Sequence, residues 1–230
     1  MSEKELLEKL ANTIIEGDEQ TSEVVAKEII AAGIDPVDAI QKGAKKGLDE
    51  IGERFQRLEA FLPDLIRGGE AMRACMTVFL PHIKAEQASS IELGKVVIGT
   101  VTGDIHDIGK SLVGTMLTVS GFEVFDLGTD VPIKKFVEKA EEVGAKAIAL
   151  SSLMTTSCYY QDEVIKYLKD IGLRDKYYVV VGGSPVTPEW TMQIGADGYG
   201  KTAVHASQLL EKLIKGGEAP PVSKPVIIES

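Results

Sequence analysis

Lys95-Val96-Val97-Ile98-Gly99-Thr100-Val101-Thr102 runs directly into Gly103-Asp104-Ile105-His106-Asp107-Ile108-Gly109-Lys110-Ser111, and this junction decides the fold. The apolar, β-branched run reads as a buried strand, and the stretch after it reads as a loop that presents a histidine before the next helix. The spacing Asp-x-His-x-x-Gly carries chemistry. A carboxylate at Asp104 can accept the Nδ1 proton of His106, fix its tautomer and leave Nε2 free for a metal. Gly109 opens the following helix and leaves room for a group to pass.

Downstream the same alternation repeats. Strands are expected at 95–101, 122–127, 146–151, 177–181 and 197–199, and helices at about 107–119, 133–143, 158–171, 187–193 and 202–215. Short apolar strands alternating with helices imply a doubly wound, flavodoxin-like (Rossmann-type) α/β domain with a five-stranded parallel sheet covered on both faces. Ligands of such sheets sit at the carboxyl ends of the strands, where the strand order reverses. With the order 2-1-3-4-5, three loops border one crevice: the His106 loop, Ser151-Ser152-Leu153-Met154-Thr155-Thr156-Ser157, and Gly182-Gly183-Ser184-Pro185. Small residues there would leave a narrow slot for a flat group. Taken singly, the glycine pair also fits a tight turn and the hydroxyls fit helix caps. Residues 217–230 hold three prolines and no period and read as a C-terminal tail.

Upstream, every periodic segment is helical, at roughly 2–16, 20–32, 36–58 and 62–87, with apolar residues three and four apart. Asp35-Pro36 marks a clean helix start, a capping carboxylate before a proline at the first helical position. Four helices joined by short turns make a bundle over residues 1–90. The chain thus divides near Ala88-Ser89-Ser90-Ile91-Glu92-Leu93-Gly94, with the α/β domain over 91–216.

Composition sets the outer bounds. A formal charge of -10 with no cluster of Lys and Arg argues against a nucleic-acid surface. The charged start Met1-Ser2-Glu3-Lys4-Glu5 is no signal peptide, and no apolar run approaches the ~20 residues of a membrane span, so a cytoplasmic protein is expected. Cys75 and Cys158 stand far apart without a Cys-x-x-Cys partner and read as buried thiols. His82 and His205 have no carboxylate at a useful spacing. A metal site on His106 with Asp104 and Asp107 would crowd its ligands on one loop. Gly109-Lys110-Ser111 resembles the end of a phosphate loop, but the required earlier glycine falls at Asp104, and Gly103 is one residue too early.

The chain resembles a known family. Gly103 to Lys110, Gly121-Phe122-Glu123-Val124, Asp126-Leu127-Gly128-Thr129-Asp130-Val131-Pro132, Ser151 with Leu153, Ser157 and Gly182-Gly183 are similar to the cobalamin-binding domain of methionine synthase. They are equally similar to the corrinoid carrier proteins of methyltransferase systems for methylamines, betaines, methanol and methoxylated aromatics. The helical half shares Gly52-Glu53-Arg54-Phe55 and Phe61-Leu62-Pro63-Asp64-Leu65 with them. The resemblance covers nearly the whole chain, with no departure at a motif position.

That resemblance implies a cofactor, cobalamin or a related corrinoid, cycling through methylcobalamin, Co(I) and Co(II) states. His106 would be the lower axial cobalt ligand, Asp104 would hold its proton, and Ser157 would extend that relay. Ile105 and Asp107 would flank the ligand. Gly109, Ser151, Leu153, Thr155, Gly182 and Gly183 would form the channel for the displaced nucleotide tail, with Gly200 near it. Phe55 and Leu62, seven residues apart on one face of consecutive helical turns, and Leu65 one turn further, would cap the methyl group. The implied function is to carry a methyl group between a substrate-specific methyltransferase, a TIM barrel in this family, and a second methyltransferase acting on coenzyme M or tetrahydrofolate. A reductive activase is a further implied partner, and the chain would not be catalytic alone. A cobalamin-dependent sensor is the alternative, disfavoured because no output domain accompanies the bundle and cofactor domain.

Overall fold

The computed structural model describes residues 2–83 and 93–229. They form two compact units, one helical and one built on a sheet. The junction expected near 88–94 lies largely outside the described residues.

In the helical unit, α1 (Glu3–Glu16) starts on a capping box, Ser2 Oγ accepting from Glu5 N while Glu5 answers to Ser2 N. Asp18 caps α2 (Glu19–Ala31). Asp35 caps α3 (Pro36–Ala39) through Val37 N and Asp38 N, as the Asp-Pro pair predicts. The expected single helix over 36–58 instead passes through a π-helical turn, Ile40–Ala44, into α4 (Lys45–Gln56). α5 (Leu62–Phe79) runs on into a 3₁₀ turn, Leu80–His82. α1 packs on α2, α4 and α5, and α5 packs on α2 and α4. Leu10, Ile14, Ile29, Leu65 and Phe79 are fully buried at their centre. Gly68 lies inside α5.

The α/β unit follows the expected alternation: β1 (Lys95–Thr100), α6 (Ile108–Val119), β2 (Glu123–Asp126), α7 (Ile133–Val143), β3 (Ala147–Ser151), α8 (Tyr159–Asp170), β4 (Tyr178–Gly182), α9 (Pro188–Ile194), β5 (Gly198–Gly200) and α10 (Ala203–Lys215). All strands are parallel, in the order β2-β1-β3-β4-β5-β6. Alternate strand residues point to opposite faces. Val97, Ile148, Leu150, Val179 and Val181 meet α7 and α8 on one face. Val96, Ile98, Ala147, Ala149 and Val180 meet α6 and α10 on the other. Burial on both sides is why the strands read as continuous apolar runs.

The sixth strand, β6 (Val226–Ile228), corrects the reading of 217–230 as a tail. Three residues are too few to show a period, and the prolines around them masked a β-branched Val-Ile-Ile run. The segment is tied down by Asp197, whose Oδ1 accepts from Val222 N (2.9 Å) and whose carbonyl accepts from Val226 N (2.9 Å). Asp197 Oδ2 accepts from Val179 N (2.6 Å) and from the buried Arg174 Nη2 (2.8 Å). Asp197→Asn places an amide against that guanidinium and is expected to cost about 1–3 kcal/mol, measured as a shift of the urea midpoint with no change in slope.

Candidate corrinoid site

β1 ends at Thr100, and Val101 pairs once more through a bridge to Val131. The chain then turns on Gly103, φ +79°, which brings Asp104 N to the Val101 carbonyl at 3.2 Å. Asp130, in the loop after β2, braces this turn from outside. Its Oδ1 accepts from Gly103 N (2.7 Å) and its own N–H donates to the Asp104 carbonyl (2.9 Å). From inside, Thr100 Oγ1 donates to the His106 carbonyl at 2.8 Å. The histidine loop is therefore fixed at both ends.

Within it, Asp104 is wholly buried while the His106 side chain is 47% exposed. Asp104 Oδ1 accepts from His106 Nδ1 (2.7 Å) and from His106 N (3.1 Å). Oδ2 accepts from Ser157 Oγ (2.7 Å), Leu153 N (2.7 Å) and Met154 N (3.2 Å). Ser152 Oγ, buried beside them, lies 2.7 Å from Ser157 Oγ. Burial pushes the Asp104 carboxyl up, but the hydrogen bonds from Ser157, His106 and Leu153 outweigh it and hold the group well below the usual carboxylate range. Because the folded value is depressed, the stability this network contributes is present above the ordinary carboxylate pKa of about 3.9. It is lost only as the pH falls through the lower folded value. An ionised Asp104 on Nδ1 leaves the Nε2 lone pair of His106 as the free donor.

His106 stands at the edge of a cavity of about 770 Å³, within the range of cofactor sites. The cavity lies at the carboxyl ends of β1, β3, β4 and β5 and extends over the sheet between α6 and α10, past Ala149, Val180, Ala206 and Leu209. Of the residues expected from sequence, Ile105, His106, Asp107 and Gly109 line it from the first loop. Ser151, Leu153, Gly182, Gly183 and Gly200 line it from the other strand ends. Asp104 and Ser157 sit behind His106, and Thr155 is exposed on the turn beyond, outside the lining.

The wall fits a flat, bulky guest. A Cβ added at Gly109 or Gly182 would meet nothing within 4 Å, so both positions leave open space. Gly200 lines the cavity for a different reason: a Cβ there would come 2.6 Å from Ala206 N, so the glycine allows α10 to approach β5.

Tyr199, Thr202 and Ala206 line the cavity without having been singled out from sequence; their signal was only their place at a strand end. Lys110 also lines it, but its ammonium is buried and paired with Asp126, so it is no phosphate-loop lysine. His82 is exposed, and His205 is buried on α10 outside the lining. Among the described residues no group of three His, Cys, Asp or Glu side chains could hold a metal ion by itself. Cys75 and Cys158 are buried thiols as expected; burial pushes Cys75 up to about 12.

Phe55, Leu62 and Leu65 belong to the helical unit. They do not continue one helix: α4 ends at Gln56, Leu58 adopts φ +61°, and α5 begins at Leu62. Phe55 is half-buried, Leu62 is 39% exposed, and Leu65 is fully buried in the helical unit.

Known proteins carry the same architecture. Residues 94–207 match the B12 binding domain family, and residues 6–79 match a second B12 binding domain family. The chain is 47% identical over 202 residues to trimethylamine corrinoid protein 1 of Methanosarcina acetivorans, covering 88% of this chain and 94% of that one. It is 46% identical over 215 residues to the dimethylamine corrinoid protein of Methanosarcina barkeri, covering 93% and 100%. A crystal structure of a cobalamin-binding protein from Desulfitobacterium hafniense superposes with a TM-score of 0.69 at 35% identity, over 90% of this chain and 97% of that one. The methanol:cobalamin methyltransferase complex MtaBC from Methanosarcina barkeri gives 0.74 at 28% identity, over 94% and 81%. With a tautomer-fixed histidine at the mouth of a glycine-walled cavity and relatives matched along most of its length, the chain belongs to the cobalamin-binding corrinoid proteins.

Proposed function

We propose that this protein carries a methyl group between two methyltransferases, with methylated amines as the source, and that His106 is the lower cobalt ligand. The observation that carries the reading is the Asp104–His106 pair at the cavity mouth. When bound, the corrinoid supplies a cobalt centre that takes up and gives up a methyl group. His106 offers Nε2 to it, and Asp104 keeps the opposite nitrogen protonated, raising the basicity of the donor and holding its ring plane. The open space at Gly109 and Gly182 would take the nucleotide tail of the cofactor.

The trimethylamine and dimethylamine relatives support the choice of methyl donor. The partners in this reading are a substrate-specific methyltransferase with a TIM barrel, an acceptor methyltransferase acting on coenzyme M or tetrahydrofolate, and a reductive activase. Among the described residues no helix is long and apolar enough to cross a membrane.

The test is electron paramagnetic resonance of the Co(II) protein. A nitrogen ligand splits the cobalt lines into triplets, which become doublets when the chain is labelled with ¹⁵N-histidine. His106→Ala is expected to abolish the label effect and weaken corrinoid retention about tenfold. Splitting that ignores the label would sink axial ligation by histidine. Methyl transfer from a methylamine-dependent partner, and none from a methanol-dependent one, checks the donor.

A further inference from the structure

Gln161 has no part in the ligand network, yet it is fully buried beneath the cavity. It lies in the first turns of α8, and its Nε2 donates to the Leu150 carbonyl (3.1 Å) and to the Gly182 carbonyl (3.1 Å). Its Oε1 accepts from Trp190 Nε1 on α9 at 3.0 Å. Leu150 and Gly182 belong to neighbouring strands, β3 and β4, and both line the cavity. The Gly182 carbonyl also accepts from Ser152 N at 3.1 Å. One primary amide therefore uses both donors to bridge carbonyls at the ends of two strands, the last but one of β3 and the last of β4. Its own acceptor is held by the only tryptophan in the chain.

Ser151 pairs with Gly182 in the last rung of the β3–β4 ladder, so the bridge sits where the pairing ends, and a buried carbonyl without a partner is costly. The bridge ties the two strand ends together, and with them the part of the cavity wall formed by Ser151–Leu153 and Gly182–Gly183. We infer that Gln161 is a positioning residue that holds this part of the wall in place for the nucleotide tail of the corrinoid, with Trp190 keeping the amide in its bridging orientation. The inference rests on the proposed placement of the tail in the cavity.

The test compares affinities of the full chain for cobalamin and for cobinamide, which has the same corrin ring without the nucleotide tail. The wild-type protein is expected to prefer cobalamin. Gln161→Leu, similar in volume but without hydrogen bonds, is expected to narrow that preference about tenfold, with cobinamide affinity unchanged. A purely structural role would instead lower both affinities together, and that result overturns the inference, as does an unchanged preference. Should Gln161→Leu fail to fold, Trp190→Phe removes the indole N–H together with part of the ring; a narrowing of about threefold with cobinamide affinity unchanged supports the inference, and an unchanged preference overturns it. A wild-type protein that binds both corrinoids equally overturns the tail placement itself, and the inference with it, so the two failures are told apart.

Discussion

Gly182→Leu is expected to yield a folded protein that no longer retains a corrinoid. A Cβ at this position meets nothing within 4 Å, and the residue is the last of β4, where a branched apolar side chain suits the strand. Thermal stability should therefore stay within about 1 kcal/mol of wild type. The added isobutyl group has only the cavity to occupy, between the Gly109 wall and the strand ends, where the proposed placement puts the guest. A loss of affinity of about 100-fold or more is expected, each tenfold corresponding to about 1.4 kcal/mol. Absorbance of the protein after reconstitution with hydroxocobalamin and gel filtration measures it. Retention at wild-type level would show that the cofactor does not pass Gly182.

The neighbouring position is expected to respond in the opposite way. Gly183 has φ +127°, and a Cβ there would lie 1.7 Å from the Ser152 carbonyl oxygen. No side-chain rotation relieves a clash with main chain, and the backbone conformation itself is open only to glycine. Moving Gly183 would pull apart the Ser152–Gly182 hydrogen bond and shift Ser152, which packs against Ser157 and the Asp104 carboxylate. Gly183→Ala should destabilise the α/β unit by about 4 kcal/mol or more, a large share of the ~5–15 kcal/mol that holds a domain together. Loss of the cooperative near-ultraviolet melting transition at 37 °C is the expected readout. Two adjacent glycines would thus separate cleanly, one indispensable to the fold and one to the guest.

Most of the α/β unit was legible because each strand is apolar on both faces and each helix has its own period. Predicted and observed bounds differ by only a residue or so at most strand and helix ends. Alternation gave the parallel sheet but not its strand order; the flavodoxin-like order taken for it is the one observed for the first five strands, and it brings the His106, Ser151 and Gly182 loops to one edge. What escaped detection had no local signature. Gln161 and Ser152 gain their roles from partners far along the chain, through topology rather than spacing. β6 is too short to announce itself. The seven-residue spacing of Phe55 and Leu62 looked helical because Leu58, not glycine, takes the left-handed conformation that separates α4 from α5. Gly200 lines the cavity, but the reason for a glycine there is the close approach of α10.

His106, Leu153, Met154 and Ser157 together hold the Asp104 carboxylate in place. The donor loop is accordingly preorganised, and docking a corrinoid need not spend affinity on ordering it. A carrier built this way can be emptied and recharged with a fresh corrinoid without refolding. Apo and loaded protein should then show the same amide-exchange protection across residues 101–106.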